Sequence, residues 1–227
     1  MTISRQNIFN VNRSDDSNDY VACFYRDALF LVVKGYERLV SNDTDYSDTA
    51  EEHITGELTQ QTEKYINAKD SPEWTKYYVV QEERRENVPG RKGKHRPRVD
   101  IAFILTNRKP QRFMRFEAKR LRRPGFSVNN YIGNEGLGEF IAGNYARNDD
   151  TAGMLGYVQS DNCEYWAREI SEMLEKKKRE VGLIESDKWQ KTYSDYIDNC
   201  YKTKHKRPTI KRILMIYHLL LAFQKTA

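Results

Sequence analysis

The chain has 227 residues and a formal net charge of +5, with 38% hydrophobic and 31% charged residues. This composition is typical of one globular domain and argues against a disordered chain. No apolar run approaches the roughly 18 residues that a membrane span needs, and residues 1–10 lack the apolar core of a secretory signal. The three cysteines are too few and too far apart for a disulfide framework or a zinc site. We therefore expect a cytoplasmic protein that has no membrane partner.

Two segments near the start of the chain repeat apolar residues every three or four positions, which predicts helices over 20–40 and 49–68. Three short segments that are rich in aromatic and β-branched residues follow. They predict strands at 74–82, Arg98–Leu105 and Arg112–Leu121. Their close spacing is typical of an antiparallel meander.

The second half of the chain predicts further elements of both kinds. A glycine-rich segment leads into a helix over 137–146, and a buried strand is expected at 154–159. Asp161 and Glu164 resemble a capping box for a helix that extends to Val181. Residues 189–201 are ambiguous, although Tyr193, Ile197 and Tyr201 fit a helix. Residues 212–223 predict a closing strand.

Helices before, within and after a short mixed sheet predict an α/β domain. We expect one domain over 1–227, with its core over 47–182. Residues 1–46 would form an N-terminal helical extension, and residues 183–227 a C-terminal extension.

Charged residues lie among apolar ones in two predicted strands: Asp100 between Val99 and Ile101 in the first, and Glu117 and Lys119 on either side of Ala118 in the next. Such charges are costly inside a core unless they are paired or bind a metal. Glu117 and Lys119 share one face of their strand because side chains alternate. If the strands pair so that Asp100 and Glu117 converge, the two carboxylates repel each other unless a cation lies between them.

Hard oxygen ligands of this kind suit Mg²⁺ or Mn²⁺, with the carbonyl of Ala118 as a further candidate ligand. A metal held by Asp100 and Glu117 would lower the pKa of a bound water and polarise a phosphodiester. Lys119 would position or deprotonate that water and stabilise the charge that develops on phosphorus. The pattern therefore predicts phosphodiester hydrolysis.

An aspartate in one strand and Glu117-Ala118-Lys119 in the next resemble the PD-(D/E)xK nuclease superfamily, which has the restriction-endonuclease-like fold. The resemblance covers residues 51–159. It implies a central mixed sheet flanked by helices and Mg²⁺-dependent cleavage of DNA, with Asp100 and Glu117 on the metal and Lys119 catalytic. Val99 departs from the family pattern, which has proline before the aspartate.

Many members of this superfamily add a glutamate from the preceding helix. Glu51 fits that role best, and Glu52 and Glu57 are rivals. The alternative for Glu51 is a capping box with Asp48.

The other candidates also have structural alternatives. Glu117 and Lys119 would bridge each other on an exposed edge strand, and Asp100 would cap a strand end against the basic loop that precedes it. Gln159 is a candidate for contact with the substrate or with the residues around the site, and His205 is a candidate for contact with phosphate.

Two basic clusters flank the predicted site and are expected to steer phosphates, although solvated loops explain either cluster equally well. The first lies in the loop over 87–97 and the second follows the catalytic strand. Their residues are Arg91, Lys92, Lys94 and Arg96, and Arg120, Arg122 and Arg123.

The function predicted from these observations is a metal-dependent deoxyribonuclease, with RNA not excluded as substrate. One alternative is a catalytically silent nucleic-acid-binding or assembly subunit that has the same fold, and another is an RNase. The resemblance also implies an effector subunit beside a helicase or ATPase in bacterial antiphage defence. A symmetric duplex cut would need a homodimer.

Overall fold

The structure is a computed structural model that describes residues 16–42, 44–192 and 198–224. Within these ranges five α-helices are formed: α1 (Asp16–Val40), α2 (Glu51–Ile66), α3 (Val128–Ile132), α4 (Leu137–Ala142) and α5 (Cys163–Lys176). Seven strands are formed: β1 (Tyr78–Arg85), β2 (Arg98–Leu105), β3 (Arg112–Leu121), β4 (Thr151–Val158), β5 (Gln190–Lys191), β6 (Cys200–Arg207) and β7 (Arg212–Ala222).

All seven strands form one mixed sheet, in the order β1-β2-β3-β4-β7-β6-β5. The strands β1, β2 and β3 form an antiparallel meander. β4 pairs in parallel with β3 on one side and with β7 on the other, while β6 pairs antiparallel with both β7 and β5. The parallel strands are therefore at the centre, where every residue of β4 is buried.

Helices cover both faces of the sheet and divide its apolar side chains between two cores. One core lies against α1 and α2 and includes Phe103, Phe116 and Leu219. The other lies against α3, α4 and α5 and includes Met154 and Trp166. The α/β class and the mixed sheet flanked by helices are therefore confirmed.

A close approach between two central strands depends on glycine. A Cβ atom on Gly153 of β4 would lie 2.2 Å from the ring of Phe116 on β3. Such contacts do not occur between real side chains, so any larger residue here would push these strands apart. The site described below lies on β3, beyond Phe116.

Several expected elements are confirmed, including the bounds of β2 and β3 and the three-stranded meander. Others differ at their ends. β1 starts only at Tyr78, because Glu73–Tyr77 forms a 3₁₀ turn. α4 ends at Ala142 and not at residue 146, because Gly143 adopts a left-handed conformation with φ of 76°.

The predicted capping box at Asp161 and Glu164 is wrong. Asn162 caps α5 by accepting a hydrogen bond from the backbone N–H of Tyr165. The helix also ends at Lys176 and does not reach Val181. Asp161 has a positive φ of 58° and instead binds Arg123.

The C-terminal part of the chain contains a strand that the sequence analysis missed. Tyr201, which belongs to the segment that the sequence left ambiguous, lies in β6, and β7 confirms the expected closing strand. Tyr193 and Ile197 lie outside the described residues. The boundaries at 46 and 182 stay predictions, but β6 and β7 belong to the same sheet as the expected core.

Among the described helices, none combines the length and apolar character that crossing a bilayer would require.

Candidate active site

The pairing of β2 with β3 brings Asp100 next to Glu117. The ladder between these strands runs from Leu105 opposite Arg112 to Ile101 opposite Phe116. Asp100 follows next in that register, and its Oδ2 accepts a hydrogen bond of 2.7 Å from the backbone N–H of Ala118. The side chain of Asp100 therefore accepts a hydrogen bond from a backbone N–H of β3 at the point where the ladder between β2 and β3 ends.

Lys119 connects two further carboxylates. Its Nζ lies 2.8 Å from Oε1 of Glu51 and 2.9 Å from Oε1 of Glu117. The second oxygen of Glu51 accepts a 3.0 Å hydrogen bond from the backbone N–H of Arg120. The first turn of α2 is thus attached to two consecutive residues of β3.

Burial makes the negative charge of this site costly. Glu117 is only 4% exposed, and its Oε2 is a buried oxygen without a hydrogen-bond partner among the described residues. Burial, and then the charge of Asp100, raise the pKa of Glu117 well above its usual value. Burial also raises the pKa of Asp100 to about 6, although the nearby Lys119 opposes this shift.

Lys119 differs from the two acids, because neighbouring charges and not burial determine the direction of its pKa shift. Burial by itself would lower the pKa of its ammonium group, but the carboxylates of Glu117, Glu51 and Asp100 outweigh burial and raise the pKa. Lys119 is therefore protonated at neutral pH.

The donor chemistry of Asp100 and Glu117 fits a divalent cation. Both offer hard oxygen atoms, and a buried carboxylate oxygen without a partner is an atom that a cation would satisfy. Ala118 lies between Glu117 and Lys119, and its backbone N–H is already bonded to Asp100. Within the described ranges, however, no group of three or more His, Cys, Asp or Glu side chains is arranged to hold a metal.

Of the three candidate glutamates on α2, only Glu51 contacts this group. Glu52 is exposed, and Glu57 accepts hydrogen bonds from Tyr46 and His53 instead. The alternative capping box of Glu51 with Asp48 is wrong, because Ala50 caps α2 without a side-chain bond.

The structural alternatives for the two strands do not describe the arrangement either. β3 lies inside the sheet, Glu117 is buried and Lys119 is partly buried, so the two do not form an exposed edge pair. Asp100 caps Ala118 and does not bind the preceding basic loop.

Gln159, which follows β4, holds the approach to α2 in place. Its amide nitrogen donates to the carbonyl oxygens of Tyr46 and Thr49 at 2.5 and 2.8 Å. Its Oε1 accepts a 2.6 Å hydrogen bond from Arg120. Gln159 is therefore a positioning residue that joins Arg120 to the loop before Glu51.

Tyr145 is a neighbour of the site that the sequence analysis missed. Its hydroxyl donates a 2.6 Å hydrogen bond to the carbonyl of Arg98, two residues before Asp100. Burial raises the pKa of Tyr145, and the charges of Glu117, Glu139 and Asp100 raise it further. A tyrosine that follows a short helix carries no recognisable signal in the sequence.

The first basic cluster makes no hydrogen bond or ion pair to these acids among the described residues. Arg91, Lys92 and Lys94 are exposed, whereas Arg96 donates hydrogen bonds to the carbonyls of Glu86 and Arg85. The first three side chains therefore remain available to phosphate, and Arg96 is occupied in holding its loop.

The second basic cluster follows Lys119 directly and already has acidic partners. Arg120 and Arg122 both bind Asp48, and Arg123 binds Asp161. The expectation that His205 contacts phosphate is wrong, because His205 is fully buried and bonds to Val181 and Thr203.

Comparison with known proteins gives no match for this chain among family models, curated proteins or solved structures.

Proposed function

We propose that the chain is a divalent-metal-dependent nuclease of the restriction-endonuclease-like fold, which hydrolyses phosphodiester bonds in DNA. The observation that carries this proposal is Glu117, a buried carboxylate beside Asp100 and within hydrogen-bond distance of Lys119. While both acids are ionised, its Oε2 has no hydrogen-bond donor among the described residues. A purely structural ion pair would not require a second carboxylate whose ionisation is opposed by burial.

Asp100 and Glu117, with the carbonyl of Ala118, would hold Mg²⁺ or Mn²⁺. When bound, such an ion supplies charge neutralisation and makes a bound water more acidic. The ammonium group of Lys119 orients the attacking water and stabilises the negative charge that builds on the phosphate. Its raised pKa favours this electrostatic role over that of a general base. Glu51 positions Lys119 from the opposite side.

A second candidate is a catalytically silent nucleic-acid-binding or assembly subunit. The observation that favours it is that Lys119 already neutralises Glu51 and Glu117 in this arrangement. An RNase is a third form of the same proposal, because the site contains no recognisable contact for a 2′-hydroxyl. A helicase or ATPase partner, a role in antiphage defence and a homodimer also remain parts of the proposal.

The test is incubation of the purified protein with plasmid, single-stranded DNA and RNA, in Mg²⁺, Mn²⁺ or EDTA. We expect cleavage of DNA only with a divalent ion, and a loss of at least about 100-fold in rate for Lys119→Ala and Glu117→Gln. Glu52→Gln is the matched control, because Glu52 is exposed on the same helix turn as Glu51.

Cleavage that persists in EDTA and in Lys119→Ala would contradict the mechanism. Binding of DNA without cleavage in any metal would support the silent subunit instead.

A further inference from the structure

A hairpin follows β3 directly and presents an aromatic ring beside the proposed active site. Arg122 and Phe126 exchange two backbone hydrogen bonds of 2.9 Å, so the turn between them is closed at its base. Phe126 is 37% exposed, which is unusual for a large apolar side chain in this protein. The hairpin therefore holds an exposed ring at a fixed position.

An arginine supports this ring from the side of the active site. The guanidinium carbon of Arg120 lies 4.0 Å from the centroid of Phe126. The backbone N–H of Arg120 donates to Glu51, and its Nε donates to Gln159. The aromatic ring is therefore connected through a single residue to the carboxylate that contacts Lys119.

Two arginines next to the ring hold an anion, which is at present a carboxylate of the protein itself. Arg122 Nη1 and Arg120 Nη2 both bind Oδ1 of Asp48. Asp48 is 75% exposed, so water screens this contact and little free energy is lost when another anion replaces it. A carboxylate oxygen held by two arginines imitates the oxygen of a phosphodiester.

We propose that the hairpin over 122–126 binds an unpaired nucleotide of the substrate, whose base stacks on Phe126 while its phosphate replaces Asp48 on Arg122 and Arg120. This inference rests on the proposed function, since it names the substrate of the same site as a nucleic acid with single-stranded character. A base inside a duplex has both faces covered and cannot stack on a protein ring, whereas an unpaired base can.

The test is fluorescence anisotropy with labelled single-stranded and duplex oligonucleotides of the same sequence, in EDTA. We expect Phe126→Leu to weaken single-strand binding by about 5- to 50-fold and duplex binding by less than about 2-fold. Phe126→Tyr keeps an aromatic face and is expected to bind as the wild type does. Asp48→Asn removes the competing charge and is expected to strengthen single-strand binding by about 3- to 10-fold.

Ile213 provides the control, since it is another exposed apolar residue, at 55%, and lies on β7 far along the chain from the hairpin. Ile213→Ala should leave both affinities unchanged. Equal binding by Phe126→Leu and the wild type, or equal losses for single-stranded and duplex DNA, would overturn the proposal.

Cleavage assays on the same variants separate this inference from the proposed function. Metal-dependent cleavage together with binding that is insensitive to Phe126 rejects the hairpin alone. Single-strand binding that depends on Phe126, without cleavage in any metal, rejects the nuclease alone.

Discussion

Glu117 and Asp100 are two acids that the fold keeps at a cost. Burial raises the pKa of each, and Lys119 compensates only in part. Residues of this kind persist where they serve a purpose other than stability, and their titration provides a direct test of the site.

Asp100 should make the metal-free protein less stable as pH rises. Its pKa is about 6 in the folded chain, against an ordinary value of 3.8. The folded state therefore binds more protons between these two values, and stability falls by about 3 kcal/mol as pH rises from 3.8 to 6. We expect Asp100→Asn to lack this fall, so that the variant gains stability relative to the wild type between pH 4 and pH 7. Urea denaturation in EDTA measures the difference, and parallel curves would contradict the shift.

Binding of Mg²⁺ should restore the stability that the metal-free wild type loses as pH rises. A ligand that binds only the folded state at 100 times its Kd adds about 2.7 kcal/mol of stability. For a chain of this length that corresponds to an increase in Tm of about 5 to 10 °C. We expect this increase for the wild type and Glu52→Gln but not for Glu117→Gln, as measured by thermal unfolding with increasing MgCl₂. An equal response of Glu117→Gln would place the ion elsewhere.

The sequence was sufficient to single out Asp100, Glu117 and Lys119 as candidates, because charges among the apolar residues of a strand are conspicuous. It placed Glu51 beside them only through the family resemblance, with Glu52 and Glu57 as rivals, and it did not predict the Lys119–Glu51 contact. It was not sufficient for Tyr145 or for the tether made by Gln159. Those contacts join segments far apart in the chain, and their residue types have no pattern that distinguishes them from ordinary polar surface.

At the scale of elements, β6 and β7 are joined by a buried chain of hydrogen bonds. His205 Nδ1 lies 2.8 Å from the carbonyl of Val181, and its Nε2 lies 2.7 Å from the hydroxyl of Thr203. The same hydroxyl lies 2.8 Å from Nε2 of His218, whose Nδ1 lies 3.0 Å from the hydroxyl of Tyr131.

The carbonyl of Val181, at one end of this hydrogen-bond network, determines where the protons of the network lie. A carbonyl accepts only, so His205 carries its proton on Nδ1. Burial lowers the pKa of both histidines, and both are therefore neutral. Thr203 then donates to His205 and accepts from His218, and His218 accepts from Tyr131. Only this one arrangement of protons gives every ring nitrogen and hydroxyl of the network a hydrogen-bond partner.

Removal of the threonine hydroxyl should leave two buried ring nitrogens without partners. We expect Thr203→Val to lose about 2 to 6 kcal/mol of unfolding free energy, since each of the two unsatisfied buried groups costs about 1 to 3 kcal/mol. Thr203→Ser keeps the hydroxyl and is the matched control, with a loss below about 1.5 kcal/mol. Denaturation in urea at pH 7.5 measures both, and similar losses for the two variants would contradict the hydrogen-bond chain.

Acid should weaken the same part of the fold. Burial lowers the pKa of His205 to about 4, from an ordinary value of 6.5. Below pH 6.5 the unfolded chain binds a proton that the folded chain does not, so stability falls by about 3 kcal/mol as pH drops from 6.5 to 4. The effect is best measured in Asp100→Asn, because Asp100 has the opposite pH dependence over this range.

We expect His205→Asn, combined with Asp100→Asn, to reduce the loss of unfolding free energy in acid. His53→Gln changes an exposed histidine and should leave the loss unchanged. If the His205 variant loses as much stability in acid as the Asp100→Asn protein, the loss comes from the titration of other groups.

The predictability of the strands follows from their charge pattern. β2 and β3 were predicted at their observed bounds because apolar residues recur through both segments. β6 was not, because Lys202, Lys204, Lys206 and Arg207 make half of its eight residues basic. Its signal was the alternation of Lys202, Lys204 and Lys206 with the buried Thr203, His205 and Arg207, which is the period of a strand.

At the scale of the whole molecule, the net charge is +5, and the basic side chains differ in whether they have an acidic partner. The arginines that follow β3 have carboxylate partners. Arg91, Lys92 and Lys94 have no hydrogen bond or ion pair from their side chains to the described part of the chain. These three neighbouring cations are therefore expected to contribute to the long-range attraction of a polyanion.

Triple substitution of Arg91, Lys92 and Lys94 by alanine should reduce the salt dependence of duplex binding. Each phosphate contact contributes about 0.9 to the slope of log K against log salt, so the slope should fall by about 2 to 3. Lys176→Ala combined with Lys177→Ala, on and after α5, is the control. Anisotropy titrations between 50 and 300 mM NaCl, values chosen to bracket roughly physiological ionic strength, measure the slope. An unchanged slope would show that the loop does not contact phosphate.

The position of β7 has a consequence for biosynthesis. β7 follows every other strand in the chain, yet it lies between β4 and β6 and provides a neighbour for the strand that supports β3. During translation, the sheet remains open beside β4 until residue 222 has left the ribosome. We therefore expect a nascent chain or a prematurely terminated product to lack the parallel neighbour of β4, the strand that pairs with β3 along Glu117 and Lys119.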